Sequence, residues 1–287
     1  MLELIQNADD NSYDTSRGTI PTLDVSLYDD YLRVDCNETG FAPRNVEAIC
    51  KVGNSTKAGV ENSTRYVGEK GIGFKSVFKV ADVVYINSCD YSFKFEKNGP
   101  LGMIAPIWCD FPANTKPGHT TIFMHLAPDC NKGDLHKEIL LLDPRMLIFL
   151  RKLRQINIQI ETARATLFRS LSRLPDVPIR SASVVALQQV TLQQDAEVSK
   201  YLVLTHTAKQ LPLEPKREGA QESQILLAFP LKENLEPKLE QQQVFAFLPV
   251  RDYGLQVCFH TKSLSIRLTK NSFSFKQISF WLLVEKM

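Results

Sequence analysis

The stretch TLDVSLYDDYLRVDC, residues 22–36, constrains the fold more than any other. Leu23, Val25 and Leu27 alternate with polar residues, Leu32, Val34 and Cys36 do the same, and YDD separates the two runs. Period-two alternation puts each apolar trio on one face of a strand. So short a polar link leaves room only for an antiparallel return. The expectation is a hairpin with one apolar face, which other elements must cover.

What flanks the hairpin decides the cover. LELIQNADDN (2–11) reads as an opening helix, with Leu2, Leu4 and Ile5 supplying apolar surface. APRNVEAICKVG reads as a short helix with Pro43 near its start and Gly53 past its end. GIGFKSVFKVAD reads as a glycine-opened helix, and VVYINS, YSFKFEK and TTIFMHL as strands. Helix, hairpin, helix, loop, helix and antiparallel strands, in that order, predict an α/β fold: a two-layer α/β sandwich over residues 1–132 rather than a βαβ array. From residue 133 the texture changes. GDLHKEILLLDPRMLIFLRKLRQINIQI reads as helix, turn and strand. SVVALQQVTL, SKYLVLTHTA, SQILLAFPL and QQQVFAFLPV then read as single strands, with a polar break at EPKREGAQES. Residues 133–287 are therefore expected to form a second, mainly antiparallel α+β region.

Several function classes are disfavoured by composition. With 34 Lys and Arg against 32 Asp and Glu, the net charge of +2 gives no basic footprint for nucleic acid. EILLLDPRMLIFL and ISFWLLVEKM are too short or too interrupted to span a bilayer, so no membrane partner is expected. The six cysteines form no C-x-x-C pair, which points to reduced thiols in an intracellular, cytoplasmic or nuclear setting. Cys109, His119, His125, Cys130 and His136 match no common zinc spacing and read as scattered structural residues.

Two stretches carry chemistry. At about 100° per residue, Glu3, Asn7 and Asp10 fall in one wedge of the opening helix. That wedge holds acidic and amide groups with no Lys or Arg, so it can hold a cation or orient water. A frayed acidic first turn is the plain alternative. In YVGEKGIGFKSVF (66–78), Gly68, Gly71 and Gly73 form G-x-x-G-x-G directly before an apolar run. Glycines let the backbone approach a phosphate, and a helix start offers unpaired N–H groups. The pattern is neither a P-loop nor a Rossmann fingerprint.

Taken together, the acidic-amide helix, NETGF after the hairpin, the glycine segment and the GHTTIFMHL strand resemble the Hsp90-like (GHKL, histidine kinase-like) ATPases. ELIQNADDN, NETGFAPRNVEAICKVGNSTK and GEKGIGFKSVF look most like the sacsin and NO VEIN-type branch. The resemblance implies ATP and Mg²⁺ as ligands. Asn7 would hold Mg²⁺ through its amide oxygen, Glu3 would orient or deprotonate water, and Asp10 would support the nucleotide edge. Gly68, Gly71 and Gly73 would cradle phosphates, with Phe74 beside them and Lys70 and Lys75 as charge partners. For Lys75 a plain surface-helix role stands beside that one. Residues 53–70 would form a lid, and Thr120 would lie near adenine. Aligning Gly40 with the second glycine of the family's D-x-G-x-G segment puts Cys36 where relatives carry Asp, and Glu38 at the first glycine. Asn37, Asp35 or a water would then contact the base. The family's first helix and strand precede the N-terminal motif, which here follows Met1 at once, so a fragment of a longer chain is implied. The expected function is Mg-dependent lid closure over ATP with slow hydrolysis and a chaperone-like role, acting on protein clients or by self-association. The alternative is an interaction scaffold that keeps the fold without turnover.

Overall fold

The hairpin forms in the register that its alternation demands. In the computed structural model β1 (Thr22–Leu27) and β2 (Tyr31–Cys36) run antiparallel, with Leu23 opposite Cys36, Val25 opposite Val34 and Leu27 opposite Leu32. The structure describes residues 1–16, 18–50, 73–99, 102–181, 185–209, 222–238, 242–246, 248–255 and 258–261.

The remaining strands are β3 (Ala81–Ser88), β4 (Tyr91–Glu96), β5 (Ile107–Trp108) and β6 (Thr120–Leu126). They continue with β7 (Gln155–Glu161), β8 (Thr166–Arg173), β9 (Val177–Ser181), β10 (Val185–Gln194) and β11 (Glu197–Lys209). The last are β12 (Glu222–Leu231), β13 (Gln242–Ala246), β14 (Leu248–Leu255) and β15 (Cys258–Thr261). The helices are α1 (Leu2–Asp10), α2 (Pro43–Cys50), α3 (Lys132–Leu140) and α4 (Met146–Phe149), and a 3₁₀ helix spans Phe74–Lys79. The fold is mixed α/β, with one large sheet and few helices.

That sheet runs β14-β13-β15-β12-β11-β10-β8-β7-β1-β2-β6-β3-β4-β5, with β9 also paired to β10. Its pairs are antiparallel except β1 with β7 and β13 with β15. The parallel β1–β7 pair requires a long crossover, and residues 28–154 supply it. One face of the central strands is apolar: Leu23, Val25, Leu32, Val34, Ile156, Ile158 and Ile160 are all buried. Leu4, Ile5 and Ala8 of α1, Leu135 and Ile139 of α3, and Met146 to Phe149 of α4 complete the same core. Each Val, Leu, Ile, Met and Phe among them contributes roughly 1.5–3 kcal/mol on full burial. The opposite face carries Asp24, Arg33, Asp35, Thr121, Asn157 and Gln159.

Two sequence expectations change, and two strands are added that the sequence reading did not include. GIGFKSVFKVAD does not make an α-helix: a six-residue 3₁₀ turn is followed at once by β3, because ADVVYINS is drawn into the sheet between β4 and β6. QQQVFAFLPV divides into β13 and β14, which pair with each other through Ala246 opposite Leu248. TLFRSLSR and VPIRS form β8 and β9, which alternation did not reveal, because they expose Leu167, Phe168, Val177 and Ile179. Among the described residues no helix is long and apolar enough to cross a membrane.

Candidate functional site

The side chains of α1 divide by depth. Glu3 is exposed, Asn7 is half-buried, and Asp9 and Asp10 are buried. The wedge read from sequence thus runs from solvent at Glu3 into the protein at Asp10.

Asp9, which the wedge does not include, is held by three backbone N–H groups. Its Oδ1 accepts from the backbone N–H groups of Lys152 (2.8 Å) and Leu153 (2.9 Å), and its Oδ2 accepts from that of Arg151 (3.0 Å). The Arg151 guanidinium lies 3.6 Å from Asp9 and also pairs with Asp10. Lys152 donates to the carbonyls of Asp10 and Asn11, capping the helix at its partially negative end. Residues 151–153 follow α4, whose own C-terminal carbonyls receive the buried Arg173: it donates to Leu147 (3.0 Å) and Ile148 (2.9 Å) and pairs with Asp176.

Glu3 lies directly over Gly73, the last glycine of the G-x-x-G-x-G segment. A Cβ added to Gly73 would stand 2.4 Å from Glu3 Oε2, a distance that forbids any side chain there unless the carboxylate moves. Gly73 itself has helical backbone angles, φ −57° and ψ −47°. Phe74 packs on Phe95 with ring centroids 6.1 Å apart. Lys75 turns onto the Phe95 ring, 4.1 Å from its centroid, and donates to the Met103 carbonyl. Burial pushes its pKa down to about 8. Gly68, Lys70 and Gly71, and the whole 53–70 segment, lie outside the described residues.

The end of the sheet beyond β2 is built from small polar groups that satisfy one another. Tyr13 donates its single hydroxyl proton to the Ala8 carbonyl (2.7 Å), so the Cys36 thiol, 3.1 Å away, is the donor to the tyrosine oxygen. Burial raises the pKa of both, that of Cys36 to about 12. The Asn37 amide accepts from the Thr22 N–H (2.7 Å) and donates to the Ile20 carbonyl (2.8 Å). Asp35 points to the opposite face, where Arg33 grips it through two 2.8 Å hydrogen bonds and Thr121 donates at 2.6 Å. Thr120 shares a buried 2.5 Å hydrogen bond with Ser88, which also accepts from the Phe41 N–H. Gly40 has φ +90° and lies against Cys89, whose Sγ would be 2.1 Å from an added Cβ.

The structure therefore brings Glu3 to Gly73 and places Thr120 and Cys36 opposite each other across β2 and β6. It directs the carboxylates of Asp10 and Asp35 and the amide of Asn37 to protein partners. A cavity of about 520 Å³ opens on the other face, lined by Asp24, Asp35, Lys116, Asn157 and Asp195 among others. Its charges are also internally paired, Lys116 with Asp24 and Arg169 with Asp195.

Mg²⁺ takes near-octahedral oxygen ligands, and in nucleotide sites it uses one or two protein oxygens with phosphates and water. Among the described residues no group of three or more His, Cys, Asp and Glu forms a metal cluster. Asn7 makes no hydrogen bond to a described residue and can lend its amide oxygen. The Glu3 carboxylate covers the Gly73 backbone and would swing aside for a phosphate to approach it. One amide oxygen, that of Asn7, fits an ion held mainly by phosphates and water.

No protein-family model matches the chain. Against curated proteins, it is 32% identical over 290 aligned positions to Protein NO VEIN of Arabidopsis thaliana. The chain is related to NO VEIN. The match covers 89% of this chain and 10% of NO VEIN, so the chain spans about a tenth of that protein's length.

Proposed function

We propose that the chain is an Hsp90-like nucleotide-binding module of a NO VEIN-type protein, taking ATP with Mg²⁺ between α1 and the segment that starts the 3₁₀ helix. The observation that carries this reading is the Glu3 carboxylate seated on Gly73, which joins two stretches of separate sequence origin. Asn7 supplies a Mg²⁺ ligand, Gly73 and Phe74 border the phosphates, and Glu3 orients the attacking water. Thr120, paired with Ser88, closes the base end. Asp10 enters as the partner of Arg151, and Asn37 by holding the start of β1. The order of α1, hairpin, α2 and antiparallel strands, with helices over one face of the sheet, supports the fold assignment. Protein clients or self-association would be the output of closing over nucleotide.

One observation favours the second reading, a scaffold without turnover. Glu3 is exposed and makes no hydrogen bond to a described residue, so nothing described fixes its carboxylate, and an unfixed base contributes little. The two readings separate by titration calorimetry with ATP, with and without Mg²⁺, followed by phosphate release. Mg-dependent binding that Asn7→Ala removes supports the nucleotide site. Turnover that Glu3→Gln lowers by roughly 10²–10⁴-fold supports catalysis. Binding without turnover selects the scaffold, and absence of binding refutes the nucleotide site.

A further inference from the structure

We propose that Asp9 is a positioning residue: seated in the amide nest of residues 151–153, it sets the roll of α1 about its axis and so aims Asn7. The inference rests on the nucleotide reading above for its functional half, while the anchoring itself does not.

An apolar stripe alone holds a helix loosely against rotation. In α1 that stripe is Leu4, Ile5 and Ala8. At about 100° per residue, Asn7 and Glu3 lie on one flank of the stripe and Asp9 on the other, about 120° from Glu3. Pinning one flank therefore fixes the angle of the other. The pin is strong. Three successive backbone N–H groups converge on one carboxylate, with the Arg151 guanidinium behind them. All of these atoms are buried or half-buried, and hydrogen bonds to a charged group are worth about twice neutral ones. Lys152 closes the helix end from the same segment. A side-chain tip lies about 6 Å from the helix axis, so a roll of about 20° moves it by about 2 Å. Misplacement of about 1 Å costs on the order of 10²-fold in a geometry-dependent step.

The nest also has a fixed floor. Leu153 is fully buried, the N–H groups of Arg154 and Gln155 both donate to the Pro21 carbonyl, and β7 continues parallel to β1. Arg173 holds the other end of the turn through the α4 carbonyls. The anchor of α1 is thus the sheet itself, reached through residues 151–155.

The test uses Asp9→Asn, which keeps the shape but turns an amide N–H₂ toward donors, with Asp9→Glu, which keeps the charge but lengthens the side chain by one methylene, as a second variant should the first fail to fold. Without nucleotide, hydrogen exchange in the peptide covering residues 2–11 should rise about ten-fold, with β10 and β11 unchanged. ATP affinity is then measured with and without Mg²⁺ on folded protein. The gain that Mg²⁺ confers should fall at least about ten-fold, and Asn7→Ala in the Asp9→Asn background should add little more, as expected for coupled residues. A residue that only stabilises the fold would lower the melting temperature and leave that ratio alone. Unchanged exchange in 2–11 overturns the anchoring. Binding by the parent with an unchanged Mg²⁺ gain in the variant overturns the positioning role while the nucleotide reading stands. No ATP binding by the parent refutes the nucleotide reading and the functional half, and the exchange measurement then decides the anchoring by itself.

Discussion

Replacing Gly73 by Ala should leave the protein stable and damage its site, whereas the same change at Gly40 should do the opposite. Gly73 has helical φ and ψ, so Ala fits its backbone and restricts the unfolded chain, a gain of about 0.4–1 kcal/mol. Among the described residues the new methyl meets only the tip of Glu3, an exposed and flexible side chain. Moving that carboxylate to another rotamer costs about 0.5–1.5 kcal/mol, and the two effects nearly cancel. Gly40 differs in both respects. Its φ of +90° is strained for any other residue, at about 1–3 kcal/mol. Its Cβ would also stand 2.1 Å from the Cys89 sulfur, which must then leave its rotamer. The sum is about 2–4 kcal/mol, which lowers a urea midpoint by about 1 M. Equilibrium urea unfolding gives both numbers, and calorimetry gives Mg-ATP affinity. The expected result is a Gly73→Ala midpoint within about 0.3 M of the parent, with Mg-ATP affinity reduced about ten-fold or more, since the displaced carboxylate and the methyl both intrude on the site. Equal destabilisation by the two substitutions would refute the account of Glu3 as a movable group over an open backbone. Parental affinity in Gly73→Ala would refute the placement of phosphate there.

Arg173→Met should destabilise by about 1–3 kcal/mol, because it removes the donor to the buried α4 carbonyls of Leu147 and Ile148, while Asp176 keeps its hydrogen bond from Gln188. Urea unfolding checks it, and a loss under about 1 kcal/mol would mean that α4 does not depend on this guanidinium. Lys75→Met should gain stability relative to the parent at pH 7, with the difference closing as pH rises. In the folded state burial depresses the Lys75 pKa to about 8, while the unfolded chain holds the proton to about 10.4, so between these values the unfolded state binds more protons and parental stability rises with pH. Midpoints of both proteins at pH 7 and pH 10 test this, and a constant difference would count against the burial of the ammonium group.

Local pattern predicted the elements whose faces are strictly apolar or polar. The β1–β2 hairpin, with Leu23, Val25 and Leu27 against Cys36, Val34 and Leu32, follows from alternation alone. So does the helix-side placement of Thr120 with Met124. Strands that expose apolar side chains, such as β8 with Leu167 and Phe168, break the alternation and were not legible. The 3₁₀ turn was missed because helical spacing in FKSVF competes with the pull of β3 into the sheet, a tertiary effect. Of the candidate site, the helical wedge of Glu3 and Asn7 and the glycine before FKSVF were read from helical spacing and glycine chemistry, whereas the contact between Glu3 and Gly73 was not. Asp9 was not. Its partners lie more than 140 positions downstream and are backbone N–H groups, which carry no residue signature. The one available hint was the Asp9–Asp10 doublet at a helix end, where an acid opposes the helix dipole and needs a nearby donor. Arg151 and Lys152 are those donors.

Hydrogen exchange with and without saturating Mg-ATP tests the central claim most directly, that α1 and the segment at Gly73 form one nucleotide site. The account predicts slower exchange in peptides covering residues 2–11 and 73–80 together, at the same nucleotide concentration, and no change in β10 and β11. Protection that appears in neither peptide, in one of them only, or instead along the polar face at Asp24 and Asn157 would contradict it.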